Sequence, residues 1–297
     1  MTVYSAIAAN KRKSFILMTL VIAFVIGVVA LYSYATRQDF SLAVIAAVFA
    51  IPSSVIGYYT GDKVALAANR AQAVSSSQAP ELHRIVENLA ITAGIPTPKV
   101  YLIASPALNA FATGRDPEHA SIAVTTGLLE VLDRSELEGV IAHELSHVKN
   151  YDIRFSTLVA IFIGFIVILS DMVSRATFFG GGFRSRNDRE NNNQLGAVLA
   201  LVSFILLLIS PLIAQVIQLA ISRQREYLAD SSGALLTRYP EGLARALEKI
   251  SHGPALATAS NATAHLFIAN PFRGKSIAGL LSTHPPIADR IKRLRQM

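Results

Sequence analysis

The chain has 297 residues, of which 52% are hydrophobic and 16% are charged, with a formal net charge of +7 and no cysteine. Soluble domains carry about 25% charged residues, so this composition is typical of a chain that enters a bilayer. The lack of cysteine excludes a disulfide-stapled fold and cysteine-ligated zinc or iron–sulfur sites.

Two long apolar runs lie near the amino terminus, at about 14–35 and 40–59. Each is close to the ~20 residues that cross a hydrocarbon core, and the short polar stretch 37–39 predicts a tight turn between them. Basic residues at 11–13 precede the first run, and such residues mark the cytoplasmic side of a membrane. We therefore predict a membrane hairpin over 1–60, with the following residues in the cytoplasm.

The next block has the pattern of a small α+β domain. Helical spacing of apolar residues predicts a helix over 81–94, and strands are predicted at 99–103 and 121–125. A further strand is expected at 107–113, at the edge of the sheet, and the stretch 71–80 is typical of a linker.

An H-E-x-x-H sequence follows, formed by His143, Glu144 and His147. On a helix, positions i and i+4 share a face, so the two imidazoles can bind one zinc ion while Glu144 reaches its water. Ser135 followed by Glu138 predicts a capping box at the start of this helix. The alternative, histidines satisfied by neighbours, is weakened because the window is otherwise apolar.

Two more apolar runs, about 155–173 and 195–214, predict a second hairpin over 155–221. The loop between them, 174–194, contains four arginines, which opposes its translocation. The hairpin either crosses the membrane or lies buried at its surface. In both cases an even number of crossings returns the chain to the side that holds the H-E-x-x-H helix.

The soluble residues thus fall into two blocks, 61–154 and 222–297, each too small to be convincing alone. We predict a mainly α-helical membrane protein, with two transmembrane hairpins and one cytosolic α+β domain that contains a small β-sheet.

A zinc hydrolase needs a third protein ligand. Glu226 is the best candidate because it lies on the helix that emerges from the second hairpin, and Asp230 shares its face and can accept the free N–H of a ligand histidine. His252, His265 and His284 are rival ligands.

Three segments together carry a family resemblance: HELSH, REYLAD and THPPIADRIKRL. The chain resembles the HtpX-type membrane zinc peptidases, relatives of the CAAX prenyl protease with a zincin-like fold. The resemblance implies a multi-pass metalloendopeptidase of the bacterial cytoplasmic (inner) membrane, with one Zn²⁺ per chain and a cytosolic active site. It implies a stress-related quality-control role on misfolded or damaged membrane proteins or unfolded polypeptides, with a possible link to other quality-control proteases. Nucleic acid is not an expected partner, and oligomeric state stays open.

The resemblance also assigns roles to residues. It gives zinc to His143, His147 and Glu226, the general base to Glu144, a supporting role to Asp230, and an oxyanion contact to His284. It gives the substrate-side strand to four residues, Asn109, Ala110, Phe111 and Ala112.

Several of these roles have structural alternatives. The His-Pro-Pro turn at His284 can be purely structural, and Arg290 either orients His284 or pairs on the surface. The strand at 109–112 can be an ordinary edge strand, with Phe111 in the core. We interpret Glu130, Lys149 and Asp152 as helix-surface charges and expect no catalytic role for His83 and His119.

Two other functions compete with a broad endopeptidase. In a membrane adaptor zinc would only hold the two blocks together, but an intact Glu144 argues against this. A narrow-specificity CAAX-type peptidase is expected to have more membrane spans than the four predicted here.

Overall fold

The computed structural model describes residues 3–35, 41–164, 223–256, 259, 262–271 and 285–297. Most of the second predicted hairpin and His284 lie outside these residues. The described helices are α1 (Val3–Ala35), α2 (Ser41–Ala68), α3 (Pro80–Ala93), α4 (Thr126–Val131), α5 (Arg134–Lys149), α6 (described over 152–164), α7 (Arg223–Thr237), α8 (Pro240–His252) and α9 (Ile287–Leu294). The strands are β1 (Gln72–Ala73), β2 (Lys99–Ile103), β3 (Ala110–Gly114) and β4 (Ala120–Thr125).

The four strands form one sheet in the order β1-β2-β4-β3. Strands β2 and β4 are parallel, whereas β1 and β3 pair antiparallel with their neighbours. The helix predicted at 81–94 and the strands predicted at 99–103 and 121–125 are confirmed, as is the edge position of β3. The linker prediction for 71–80 is wrong in part, because β1 adds there to β2 through backbone hydrogen bonds.

Each face of the sheet is covered, because successive side chains of a strand point to opposite sides. Ala110, Ala112 and Ile122 belong to the main core, with α3, α5 and α8. Phe111 and Ala123 point to the other face, where they pack with the end of α2 and with α6. This packing places β3 beside α5, the helix that carries the H-E-x-x-H sequence.

Helix α5 begins earlier than the sequence analysis expected. Its N-cap is Asp133, whose carboxylate accepts the Glu136 N–H while the Glu136 carboxylate accepts the Asp133 N–H. The capping box predicted at Ser135 and Glu138 is therefore wrong by two residues. The Ser135 hydroxyl donates to the Asp133 carboxylate and so strengthens the true cap.

Helices α1 and α2 carry large apolar side chains on their exposed surfaces. Phe15, Leu20, Val44, Val48 and Ile56 are each between 60% and 73% exposed. Within the part of the chain that the structure describes, no helix meets the combined length and hydropathy expected of a membrane span.

Candidate metal centre

Two histidines on α5 present their ring nitrogens to each other. His143 and His147 are one helical turn apart, and their Nε2 atoms lie 3.2 Å apart. His143 is almost fully buried, on a helix whose Leu137, Val140 and Ile141 belong to the main core. Two converging imidazole nitrogens at this spacing can bind the same cation.

Helix α7 brings a carboxylate to the same point. The Glu226 Oε1 atom lies 3.7 Å from His147 Nε2, and Oε2 lies 3.8 Å from His143 Nε2. The two helices can approach this closely at Gly233, where a Cβ would lie only 3.0 Å from the His143 backbone nitrogen. The predicted neighbourhood of Glu226 and the two histidines is thus present, although 79 positions separate Glu226 from His147 in sequence.

The donor set fits zinc. With bonds of 2.0–2.2 Å, tetrahedral ligands lie about 3.3–3.6 Å from each other, close to the separations found here. The ligand atoms of the three residues all lie within 4.8 Å of one another. Two neutral imidazoles and one carboxylate leave the fourth position of a tetrahedral zinc for water or substrate.

Two of the rival ligands, His252 and His265, form hydrogen bonds with backbone carbonyl oxygens. The exposed His252 side chain contacts the Glu248 carbonyl oxygen on its own helix. His265 bonds through Nε2 to the Ser156 carbonyl oxygen. His284 lies outside the described residues, so its predicted oxyanion contact stays a prediction.

Asp230 contacts the first histidine of the cluster. Its Oδ1 atom accepts a hydrogen bond from His143 Nδ1 at 2.9 Å. Arg290 donates to both oxygens of Asp230, at 2.6 Å and 2.8 Å. Although burial alone would raise it, the Arg290 charge and these hydrogen bonds hold the pKa of Asp230 well below its ordinary value. Arg290 is fully buried, so the alternative that it pairs on the surface is wrong.

Asp152 supports the second histidine, and the sequence analysis missed this. Its Oδ2 atom accepts a hydrogen bond from His147 Nδ1 at 3.0 Å, and the residue is 5% exposed. The interpretation of Asp152 as a helix-surface charge is therefore wrong. Burial lowers the pKa of His147, but the Asp152 hydrogen bond and the nearby carboxylates outweigh it and raise this pKa to about 9.

Glu144 lies beside the three candidate ligands without belonging to them. Burial raises the pKa of its carboxyl group, and the Ala112 N–H on β3 donates to it. A carboxylate whose proton affinity is raised and which lies next to a metal is suited to act as a general base. Its position also links the metal cluster to the edge strand.

The edge of β3, where substrate was predicted to bind, already pairs with another segment of the same chain. The Ala110 carbonyl oxygen accepts the Ile268 N–H at 3.0 Å, and the Asn109 side-chain amide donates to the Ala269 carbonyl oxygen at 3.1 Å. Phe111 is buried against Phe267, with ring centroids 5.1 Å apart, as expected of a core residue.

The cavity beside the metal cluster is correspondingly small. Its volume is about 30 Å³, room for one or two water molecules but not for a peptide. Residues 265–268 form part of its wall. A substrate that paired with β3 at Ala110 would have to take the place of Ile268 at this edge.

The remaining histidines named in the sequence analysis have other partners. His83 bonds to the Val74 carbonyl oxygen, and His119 bonds to the Asp116 carboxylate. Asp116, Glu118 and His119 form a second group within metal-binding distance, but it lies on an exposed loop.

Comparison with known proteins adds the family context. The profile of peptidase family M48 matches residues 76–297. A "Protease HtpX homolog" of Streptococcus uberis is 45% identical, with 99% of each chain covered. One of the same name from Syntrophobacter fumaroxidans is 50% identical over 85% of this chain and 89% of its own. Among solved structures, Ste24p of S. mikatae matches with a TM-score of 0.49 and 19% identity, over 94% of this chain and 65% of the longer one.

Proposed function

The chain belongs to peptidase family M48, whose members are zinc-dependent metalloproteases, and we propose that it is a membrane endopeptidase that cleaves misfolded or damaged membrane proteins. The observation that carries the proposal is the convergence of His143, His147 and Glu226 around one point, with Glu144 beside them. The proposed place of action is the cytoplasmic face of the bacterial inner membrane.

The membrane part of the proposal is supported by α1 and α2. Their exposed apolar side chains would be costly in water and are suited to contact with lipid. Lys11, Arg12 and Lys13 precede the apolar part of α1, which favours a cytoplasmic amino terminus. The second hairpin, at 155–221, is proposed from its sequence.

In the proposed mechanism His143, His147 and Glu226 hold the zinc ion. When bound, zinc polarises the scissile carbonyl and makes water a stronger nucleophile. Glu144 accepts a proton from the attacking water and later delivers it to the leaving amine nitrogen. Asp230 and Asp152 accept hydrogen bonds from the Nδ1 atoms of the two histidines, which would leave the Nε2 lone pairs available to bind zinc.

Substrate is proposed to bind as an added strand on β3. The Ala110 carbonyl oxygen and the Asn109 amide would then bond to the substrate backbone in place of Ile268 and Ala269. Backbone pairing gives affinity without a strict sequence requirement. Such recognition suits an enzyme that must accept many misfolded chains.

The test of this reaction is zinc-triggered proteolysis. The full chain is purified in detergent with a chelator, zinc is added, and self-cleavage and cleavage of an unfolded model protein are followed. Glu144→Ala is the test variant, and Glu138→Ala, a more exposed carboxylate on the same helix, is the matched control. We expect cleavage by wild type and Glu138→Ala, and none by Glu144→Ala with zinc still bound.

Other outcomes would contradict parts of the proposal. Wild-type turnover by Glu144→Ala would exclude the general-base role. Stoichiometric zinc without cleavage by any form would favour a zinc-stabilised adaptor. The substrate class is tested in liposomes with one membrane protein and its destabilised variant, and equal cleavage of both would contradict selectivity for misfolded chains.

A further inference from the structure

A buried side chain of helix α1, that of Asn10, reaches the surroundings of the metal centre. Asn10 is 2% exposed, and its amide donates to the Asp152 Oδ1 atom at 2.6 Å and to the Asn150 carbonyl oxygen at 2.9 Å. The side-chain Oδ1 atom of Asn10 accepts a hydrogen bond from Arg225 NH1 at 3.4 Å. Asn10 thus contacts both the end of α5 and the start of α7, the two helices that carry the candidate ligands.

These contacts orient the Asp152 carboxylate, which accepts a hydrogen bond from the candidate zinc ligand His147. Asp152 uses Oδ2 for His147, and Asn10 is the closest partner of the opposite oxygen, since Arg225 NH1 is at 3.4 Å. With partners on both oxygens, rotation of the carboxylate would break one of the bonds. The orientation of the His147 ring therefore depends on Asn10 through Asp152.

A general packing role would not need this arrangement. Ser14 lies one turn further along α1 and is buried to the same degree, at 3% exposed. The hydrogen bond described for its hydroxyl goes to the Asn10 carbonyl oxygen, within the helix. Ser14 thus provides an internal comparison, because it shares the burial and the helix but not the contact with Asp152.

We propose that Asn10 is a positioning residue of the metal centre, through which α1 sets the zinc affinity of the enzyme. The inference rests on the proposed ligand set. It makes the first helix part of the catalytic apparatus in addition to any contact with lipid. A shift of α1 relative to α5 would then change zinc binding before it changed the fold of the domain.

The test measures zinc affinity of the full chain in detergent, by competition with a chromophoric chelator. Asn10→Ala is expected to weaken zinc binding about 10-fold, at the low end of the range for outer partners of metal ligands. Ser14→Ala is expected to bind zinc like wild type, because the hydrogen bond described for Ser14 stays within α1. Asn10→Asp is nearly isosteric but places a second carboxylate against Asp152, so it should weaken binding at least as much as Asn10→Ala.

Two further measurements distinguish a positioning role of Asn10 from a general loss of structure. The visible spectrum of the Co²⁺-substituted protein should change in Asn10→Ala and not in Ser14→Ala. The melting temperature of the zinc-free protein should differ little between these two variants. Should Asn10→Ala not fold, the isosteric Asn10→Asp carries the same comparison.

The proposal is overturned if Asn10→Ala binds zinc as wild type does, or if Asn10→Ala and Ser14→Ala weaken binding equally. It is also overturned if Asn10→Asp binds zinc more tightly than Asn10→Ala. His147→Ala is measured alongside. Full zinc affinity in that variant would mean that the proposed ligand set is wrong, which is a different failure from that of Asn10.

Discussion

Asp152 accepts a hydrogen bond from His147 across 3.0 Å, although five positions separate them along the chain. On one continuous helix, at about 100° per residue, the two side chains would point about 140° apart. The helix instead ends at Lys149, Asn150 caps it, and Tyr151 adopts a φ of 60°. The helix is interrupted there, and Asp152 lies within hydrogen-bond distance of the histidine.

Replacing Asp152 should weaken the metal site without removing a ligand. Asp152→Ala leaves the Nδ1 proton of His147 without its carboxylate, so we expect zinc affinity to fall about 10- to 100-fold. Asp289→Ala, an exposed aspartate on α9, is the control and should bind zinc like wild type. Unchanged affinity in Asp152→Ala, measured by chelator competition, would show that the bond does not matter for metal binding.

The core of the metal site could be predicted because regular geometry determines it. His143 and His147 share a helix face by spacing alone, and an even number of membrane crossings predicts the return of Glu226 to them. Asp152 could not be predicted in this way, because its position depends on the positive φ of Tyr151, which no residue type signals.

The start of α5 shows a second limit of sequence reasoning. Asp133 with Glu136 and Ser135 with Glu138 are both valid capping-box patterns, two residues apart. The choice depends on tertiary contact: Glu136 is 1% exposed and pairs with Lys249 on α8 at 2.6 Å. Asn10 was also beyond prediction, because its partners lie 140 and 142 positions away.

Glu226 is expected to be essential for zinc binding. Glu226→Ala removes one of three proposed ligands, so zinc affinity should fall by more than about 100-fold, beyond the range for outer partners. Glu248→Ala, on α8, is the control. Metal content is measured after dialysis against trace zinc. Unchanged content in Glu226→Ala would exclude Glu226 as a ligand and favour His265, which lines the same cavity, or His284.

The buried pair Asp230–Arg290 should show strong coupling in a double-mutant cycle. Arg290→Met leaves the Asp230 carboxylate buried without its cation, which costs about 3–5 kcal/mol in such pairs. Asp230→Asn likewise leaves the buried charge of Arg290 without the Asp230 carboxylate. The double variant should therefore lose less stability than the sum of the single variants.

This coupling is measured as the free energy of urea unfolding of the zinc-free protein. Lys292→Met, an exposed cation on the same helix, is the control and should change stability by less than about 0.5 kcal/mol. Additive losses in the two single variants would mean that the ion pair contributes no mutual stabilisation.

A disulfide between β3 and the segment that contains Ile268 should block cleavage of substrate. Ala110 accepts the Ile268 N–H beside the antiparallel bridge between Phe111 and Phe267, a register that sets Ala110 opposite Ile268. Hydrogen-bonded pairs of this kind have Cα atoms about 5.5 Å apart, a separation that a disulfide can span. The chain has no cysteine of its own, so Ala110→Cys with Ile268→Cys gives one defined crosslink. We expect the oxidised form to bind zinc but not to cleave, and reductant to restore cleavage.

The single cysteine variants are the controls for this experiment and should respond to neither oxidant nor reductant. Full cleavage by the crosslinked form would contradict the proposal that substrate pairs with Ala110 in place of Ile268. It would also place the substrate strand elsewhere in the molecule.

His265 should make the folded protein sensitive to mild acid. Burial lowers the pKa of this histidine, and the charge of Arg225 lowers it further. The hydrogen bond to the Ser156 carbonyl oxygen raises the pKa, but the net value is about 4. The unfolded chain has the ordinary value of about 6.5. Between these two pH values the unfolded state binds a proton that the folded state does not, so stability falls as the pH falls from about 6.5 to about 4.

The cost follows from the two pKa values and is at most about 2 kcal/mol between pH 7.5 and pH 5. His265→Asn removes the titrating group, so the free energy of unfolding of the zinc-free variant should fall less over this range than that of wild type. His252→Asn replaces an exposed histidine and should keep the wild-type slope. An equal slope in His265→Asn and wild type would assign the acid sensitivity to other groups, because asparagine does not titrate in this range.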